Sequence, residues 1–154
     1  MRPPAADRVT FAALVDLDVE RIGFGPDSVY VEYCLLPLIG PSCCLLYRRL
    51  GPLVCAAGVV VIDLGELGRN LGLGARIGPG SGVTKTLARL ESFHLGAWRG
   101  HDRYALRRAV APLGDRQARR LPEPARTFHY RSLAHSPIPP PAPAAGEDRP
   151  QGRP

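Results

Sequence analysis

Residues 78–86 read GPGSGVTKT, and the reading of that stretch decides what kind of molecule this is. Glycines followed by Lys85 and a threonine approximate a phosphate-binding loop. The same letters serve as a turn and the start of a helix, with Ser81 as the side-chain cap for the first free amides. Spacing argues against the loop. The pattern G-x-x-x-x-G-K-[ST] places glycine immediately before the lysine so that the backbone can wrap the phosphates, and here Thr84 stands there. The loop would also follow directly on a strand, yet DLGELGRNLGLG over 63–74 has the period of an amphipathic helix.

Working outward from that point, Leu64, Leu67 and Leu71 repeat along one face, and Asp63 with Glu66 makes a capping pair, so a helix is expected over 64–71. Gly65 and Gly68 each weaken it by about 1 kcal/mol relative to alanine, which makes it dependent on tertiary packing. After the turn, Val83, Leu87 and Leu90 share one face of a helix over 81–93. Thr84, Lys85, Ala88, Arg89 and Ser92 share the other.

Upstream, Ser42 is the expected cap of a helix over 42–51 that ends at Gly51 or Pro52, and AAGVVVID (56–63) reads as a short strand. Downstream, GAWRGHDRYALRRAV predicts a hairpin with strands at 97–99 and 103–108, turning over Gly100, His101 and Asp102. Trp98, Tyr104 and Leu106 fall on one side of it, Arg103 and Arg107 on the other. Such a ribbon is unstable alone and needs a helix beneath it. Residues 28–39 favour helix over buried strand, whereas 10–24 has too mixed a period to choose. A basic helical turn over 111–122 and a last helix over 123–135, with Pro124 in its first turn, complete the ordered part.

Five segments follow: a flexible arm (1–8), an N-terminal packing or dimerisation segment (9–39), a central domain (40–121), a C-terminal helix (122–135) and a disordered proline-rich tail (136–154), with a secondary reading of the tail as a polyproline ligand. The 154 residues suffice for one small domain with flanks. Abundant Ala, Gly, Pro and Arg suggest a high-GC bacterial source. The acidic N-terminus is unlike a secretory leader, and the longest uncharged stretch, 50–62, is too short and too broken by Gly51, Pro52 and Gly58 to span a bilayer. A soluble, cytoplasmic protein without membrane contact is therefore expected. Cys34, Cys43, Cys44 and Cys55 lie in apolar stretches without metal-ligand spacing, and read as buried small hydrophobes. No metal, cofactor or catalytic constellation is expected, so the chain is not read as an enzyme.

Charge is unevenly spread. Residues 81–121 hold nine basic and three acidic side chains, a local excess equal to the whole chain's net +6, while residues 1–40 are net acidic. A basic stretch of this kind suits a phosphate backbone, or is simply a solvated surface.

The order helix, strand, helix, turn, helix, hairpin resembles the winged helix-turn-helix family. The residues that carry the resemblance are LLYRRLGP in the first helix, VIDLGELGRNLGLG in the second, SGVTKTLARLESFHLGAW in the third and RGHDRYALR in the wing. It covers about residues 40–110. Two departures stand out: glycines at 65 and 68, and a turn, GLGARIGPGSG, longer than the three or four residues of a tight helix-turn-helix.

The resemblance implies a mainly α (α+β) fold with a two-stranded wing, and sequence-specific binding of double-stranded DNA by a transcriptional regulator, nucleoid-associated if it binds DNA. The third helix would enter the major groove with Thr84, Lys85, Ala88 and Arg89 as readers, and Arg89 would bond a guanine bidentately. Ser81 and the helix-start amides would meet a phosphate. Arg99, His101 and Arg103 of the wing, with Arg107 and Arg108, would contact the adjacent groove or backbone. A solvated helix face is the plainer alternative for Lys85 and Arg89, and an ordinary surface for the wing arginines. The other functional reading is a winged-helix protein-interaction module, with a homodimer or another protein held by the N-terminal segment or the tail.

Overall fold

A computed structural model describes residues 7–135; residues 1–6 of the arm expected over 1–8 and the proline-rich tail over 136–154 lie outside the described residues. The first element, β1 (Arg8–Leu14), alternates Val9 and Phe11 inward with half-exposed neighbours, so its period of two is that of a strand. Arg8 and Asp7 thus belong to the folded domain rather than to a loose arm: the Asp7 carbonyl accepts from the Leu64 amide at 2.8 Å. Asp16 then caps α1 (Leu17–Ile22) by accepting from the Val19 amide. The undecided stretch 10–24 therefore holds both a strand and a helix.

Residues 31–39 are helical, as expected, but open with a π turn (Val31–Leu35) before α2 (Leu36–Ile39). The wide turn leads into Pro37, which has no N–H to donate and crowds the carbonyl four residues back. The next helix, α3 (Pro41–Ala57), corrects the sequence reading at both ends. Gly40, at φ +84°, is its N-cap, with Pro41 at the first position, so Ser42 is inside the helix and does not cap it. At the other end the helix runs through Gly51 and Pro52. A Cβ on Gly51 would lie 2.3 Å from the Pro26 ring, so this glycine is a packing site rather than a terminator, and Gly58 at φ +74° ends the helix instead.

Then come β2 (Val59–Asp63), α4 (Leu64–Asn70), α5 (Gly82–Ser92), β3 (Gly96–Trp98), β4 (Arg103–Arg107), α6 (Asp115–Ala118) and α7 (Glu123–Ala134). These elements fall where the periodicity placed them. The sheet is larger than the expected two-stranded ribbon. Its order is β2-β1-β4-β3, with β1 antiparallel to β2 and parallel to β4. The N-terminal strand thus sits between the hairpin and β2, and the protein is a mixed α/β fold. Inserting β1 supplies the ladder partners that a lone ribbon lacks.

One sheet face carries Val9, Phe11, Tyr104 and Leu106 into a core completed by Leu46, Tyr47, Leu50 and Val54 of α3, Leu64 and Leu67 of α4, and Val83, Leu87 and Leu90 of α5. Full burial of each such side chain contributes about 1.5–3 kcal/mol. The two central tyrosines also satisfy their hydroxyls, Tyr47 donating to the Arg107 carbonyl and Tyr104 to the Leu87 carbonyl, each at 2.9 Å. Cys34, Cys43 and Cys44 are buried, and burial pushes the Cys34 thiol up to about 11; Cys55, expected to be buried, is exposed on the last turns of α3. Among the described residues no helix is long and apolar enough to cross a membrane.

Candidate nucleic-acid interface

Helix α5 is set by its first residue and its apolar stripe. Ser81 accepts from the Thr84 amide at 3.2 Å and donates its own hydroxyl proton to Thr84 Oγ1 at 2.9 Å. Both side chains are at most 3% exposed. They satisfy one another inside the protein, so the cap is formed as the sequence suggests but is turned away from any partner. Val83, Leu87 and Leu90 are buried, Ala88 is half-buried, and Lys85, Arg89 and Ser92 form the exposed stripe at i, i+4 and i+7.

Lys85 is free at the surface, but Arg89 is tethered. Its Nε donates to the Ile39 carbonyl at 2.8 Å, and its guanidinium lies 5.7 Å from the Phe93 ring centre. Arg89 therefore neutralises a carbonyl at the end of α2, a common use for a cation at a helix C-terminus. Nη2 also donates to the Leu38 carbonyl at 3.5 Å, so only Nη1 is left wholly uncommitted and a bidentate contact with guanine has to share Nη2 with that carbonyl.

Lys85, Thr86 and Arg89 form one wall of a groove of about 330 Å³ whose other wall is Ile39–Cys43. The start of α3 opens into it. No side chain caps that helix, and Pro41 has no amide hydrogen, so the Ser42 and Cys43 amides have no partner within the helix. A positive helix end, Lys85 and Arg89 thus converge on one concave surface. Sequence reasoning looked for the phosphate-facing helix start at the capped Ser81. The helix start without a side-chain cap is that of α3 at Pro41, and its signal was present in the Gly-Pro pair at 40–41.

The hairpin presents Arg99, His101 and Arg103 to solvent around a turn in which Gly100 adopts φ +131°. Its tip is braced by β1, since the Thr10 amide donates to the Asp102 carbonyl at 2.7 Å. Thr10 pairs with Arg103, so Arg8, two residues earlier on the same strand face, adds an exposed cation beside this tip. Arg8 escaped the sequence reading because only the parallel pairing of β1 with β4 brings it here. The Trp98 amide donates to Glu91 Oε1 at 3.3 Å, which ties β3 back to α5.

Arg107 and Arg108 point elsewhere. Arg107 pairs with Asp16 at 2.6 Å and donates through Nε to the His94 carbonyl, while Arg108 donates through Nε to Glu20 at 2.9 Å. Hydrogen bonds from these arginines hold the Asp16 and Glu20 carboxyls below their ordinary range. Both arginines fasten the amino-terminal α1 to the end of β4. Among the described residues no group of three or more His, Cys, Asp or Glu side chains could hold a metal ion. Comparison of the chain with protein families, curated proteins and solved structures finds no match.

Proposed function

We propose that this chain is a winged-helix protein that binds double-stranded DNA and acts as a sequence-specific transcriptional regulator. In this reading α5 lies in the major groove, and the β3–β4 hairpin is the wing. The carrying observation is the groove in which Lys85 and Arg89 face the uncapped start of α3, because free amides, a helix dipole and two cations together favour a phosphate oxygen. Lys85 and Ala88 are the side chains on α5 available to base edges, with Arg89 clamped beside them. Arg8, Arg99, His101 and Arg103 serve the flanking backbone or minor groove. Ser81 and Thr84 act by fixing the helix start, and Arg107 and Arg108 by holding the wing's base.

The test is fluorescence anisotropy of labelled duplexes titrated with the full chain at several salt concentrations. Binding that weakens linearly in log salt, and weakens further with Lys85→Ala, supports the proposal. No binding at low salt overturns it, and equal affinity for all sequences removes the sequence-specific part.

One observation favours the protein-interaction reading instead. The edge strand β2 leaves Val59 and Val61 about half exposed, at 49% and 54%, and carries no proline or lysine to discourage a pairing partner. Stoichiometric co-purification of a partner lost on Val61→Lys would support that reading.

A further inference from the structure

At the far end of α7 from its first turn, the chain continues into Ser136 and then Pro137–Pro143, the run PIPPPAP. Two overlapping P-x-x-P spacings occur in it, 137–140 and 140–143. Proline-rich sequence in general favours polyproline II, a helix whose carbonyls have no internal partner.

A matching surface lies alongside. Tyr33, Pro124, Thr127, Phe128, Glu123 and Arg131 line an open groove of about 400 Å³ between the π turn and α7. Its floor is an aromatic pair, Tyr33 stacked on Phe128 with ring centres 5.0 Å apart. Tyr33 is 51% exposed although it is a large aromatic. Arg131 is exposed too, and the ion pairs among the described residues use other arginines. The groove therefore offers flat aromatic faces to proline rings, and a phenol hydroxyl and a guanidinium to carbonyl acceptors. That combination is how proline-rich segments are recognised in general.

We propose that this groove is the docking site for the chain's own Pro137–Pro143 segment, bound in cis. The geometry of attachment carries the choice of occupant. From Arg131 back to Pro124 the groove runs along seven residues of α7, about 10 Å at 1.5 Å per residue. The seven residues from 137 to 143 span about 22 Å at 3.1 Å each, enough to reverse direction after His135 and run back over Arg131, Phe128 and Pro124. Tethered this closely, the segment has an effective concentration on the order of millimolar, which lets a shallow site fill. Occupancy covers the exposed half of Tyr33 and the open edge of half-buried Phe128.

The experiment uses the full chain labelled with ¹⁵N and the same chain carrying Pro139→Ala, Pro140→Ala and Pro141→Ala. Amide shifts between the two should cluster at residues 31–35 and 124–131 and should not change with protein concentration. A synthetic peptide spanning 136–146 should bind the triple variant at least 10-fold more tightly than the parent, whose own tail competes. That binding should disappear when Tyr33→Ala is added, and weaken with Arg131→Ala, which leaves the aromatic pair in place. Absence of shifts in the groove, or equal peptide affinity for parent and triple variant, overturns the proposal. Shifts that grow with protein concentration give the groove to a second copy's tail and overturn binding in cis.

Discussion

Tyr30 and His129, 99 residues apart in the chain, share a buried hydrogen bond of 2.7 Å between the tyrosine hydroxyl and imidazole Nδ1. The Leu113 amide donates to the same hydroxyl at 3.0 Å, and a Tyr30 proton given to Nδ1 uses the hydroxyl's own donor as well, an arrangement that requires neutral His129 with its proton on Nε2. Three segments meet at this point: the start of the 28–39 stretch, the link after β4, and α7.

This relay makes stability depend on pH above the carboxylate range. Burial lowers the His129 pKa, so below the ordinary histidine value of 6.5 the unfolded chain takes up a proton that the folded chain resists. Stability should be full above 6.5 and should fall as pH drops from there toward the folded pKa. Asp16 and Glu20, also depressed, add losses only at lower pH, where carboxylates titrate. Urea midpoints at pH 7.5 and 5.5 check this. A lower midpoint at 5.5 that becomes insensitive to pH in His129→Leu is the expected outcome, and Tyr30→Phe should cost about 1–3 kcal/mol at pH 7.5 by stranding the buried His129 and the half-buried Leu113 amide.

Gly68 is expected to resist replacement by alanine despite sitting in a helix. Its Cβ would lie 2.1 Å from the Gly74 carbonyl oxygen and 3.0 Å from Val83 Cγ2. The carbonyl cannot yield cheaply, since the Leu73 amide beside it bonds the Gly68 carbonyl at 2.8 Å. Overpacking typically costs about 1–3 kcal/mol, which exceeds the gain of about 1 kcal/mol from helix propensity. Gly68→Ala should therefore lower the unfolding free energy, and Gly80→Ala, which meets nothing within 4 Å, should not. A Gly68→Ala protein as stable as the parent would show that the turn does not seat against α4 as described.

These two cases mark what the sequence made legible. Leucine spacing at 64, 67 and 71, the caps at Asp63 and Ser81, and the alternation around Tyr104 located β2, α4, α5 and the hairpin, because each rests on contacts within a few residues. The glycines at 65 and 68 looked like defects there, and only the returning turn at 74–75 shows them to be contact sites. The place of β1 was illegible for the same reason: strand pairing is a relation between distant segments, and RVTFAAL carries no mark of its neighbours. Arg89 and Arg107 were read as contacts for a partner because charge is visible in sequence, whereas the carbonyls of Ile39 and His94 that hold them are not.

His94 should be stabilised by glycine. It ends α5 at φ +58°, the only non-glycine residue with positive φ among the described residues, and its amide bonds the Glu91 carbonyl while Leu95 closes back to Leu90. A left-handed residue with a Cβ costs about 1–2 kcal/mol, offset in part by glycine's greater entropy loss on folding. His94→Gly should raise stability by up to about 1 kcal/mol in denaturant unfolding. A loss would instead show that the exposed imidazole makes a contact worth more than the strain.

The basic side chains divide into two groups that salt-dependent binding and unfolding together separate. Lys85 and Arg103 are exposed, so Lys85→Ala and Arg103→Ala should leave unfolding midpoints within error. Each should flatten the dependence of log affinity on log salt by about 0.9, the value for one phosphate contact on duplex DNA. Arg107 and Arg108 spend their charge on Asp16 and Glu20. Arg107→Ala and Arg108→Ala should lower the unfolding midpoint and leave the salt slope of the remaining folded protein unchanged. Because the pairs are partly exposed, solvent screening keeps the stability loss small, and Asp16→Asn should reproduce the effect of Arg107→Ala without altering any basic residue. If Arg107→Ala flattens the salt slope as much as Lys85→Ala does while stability is untouched, the pairing with Asp16 gives way when DNA binds, and Arg107 belongs to the interface after all.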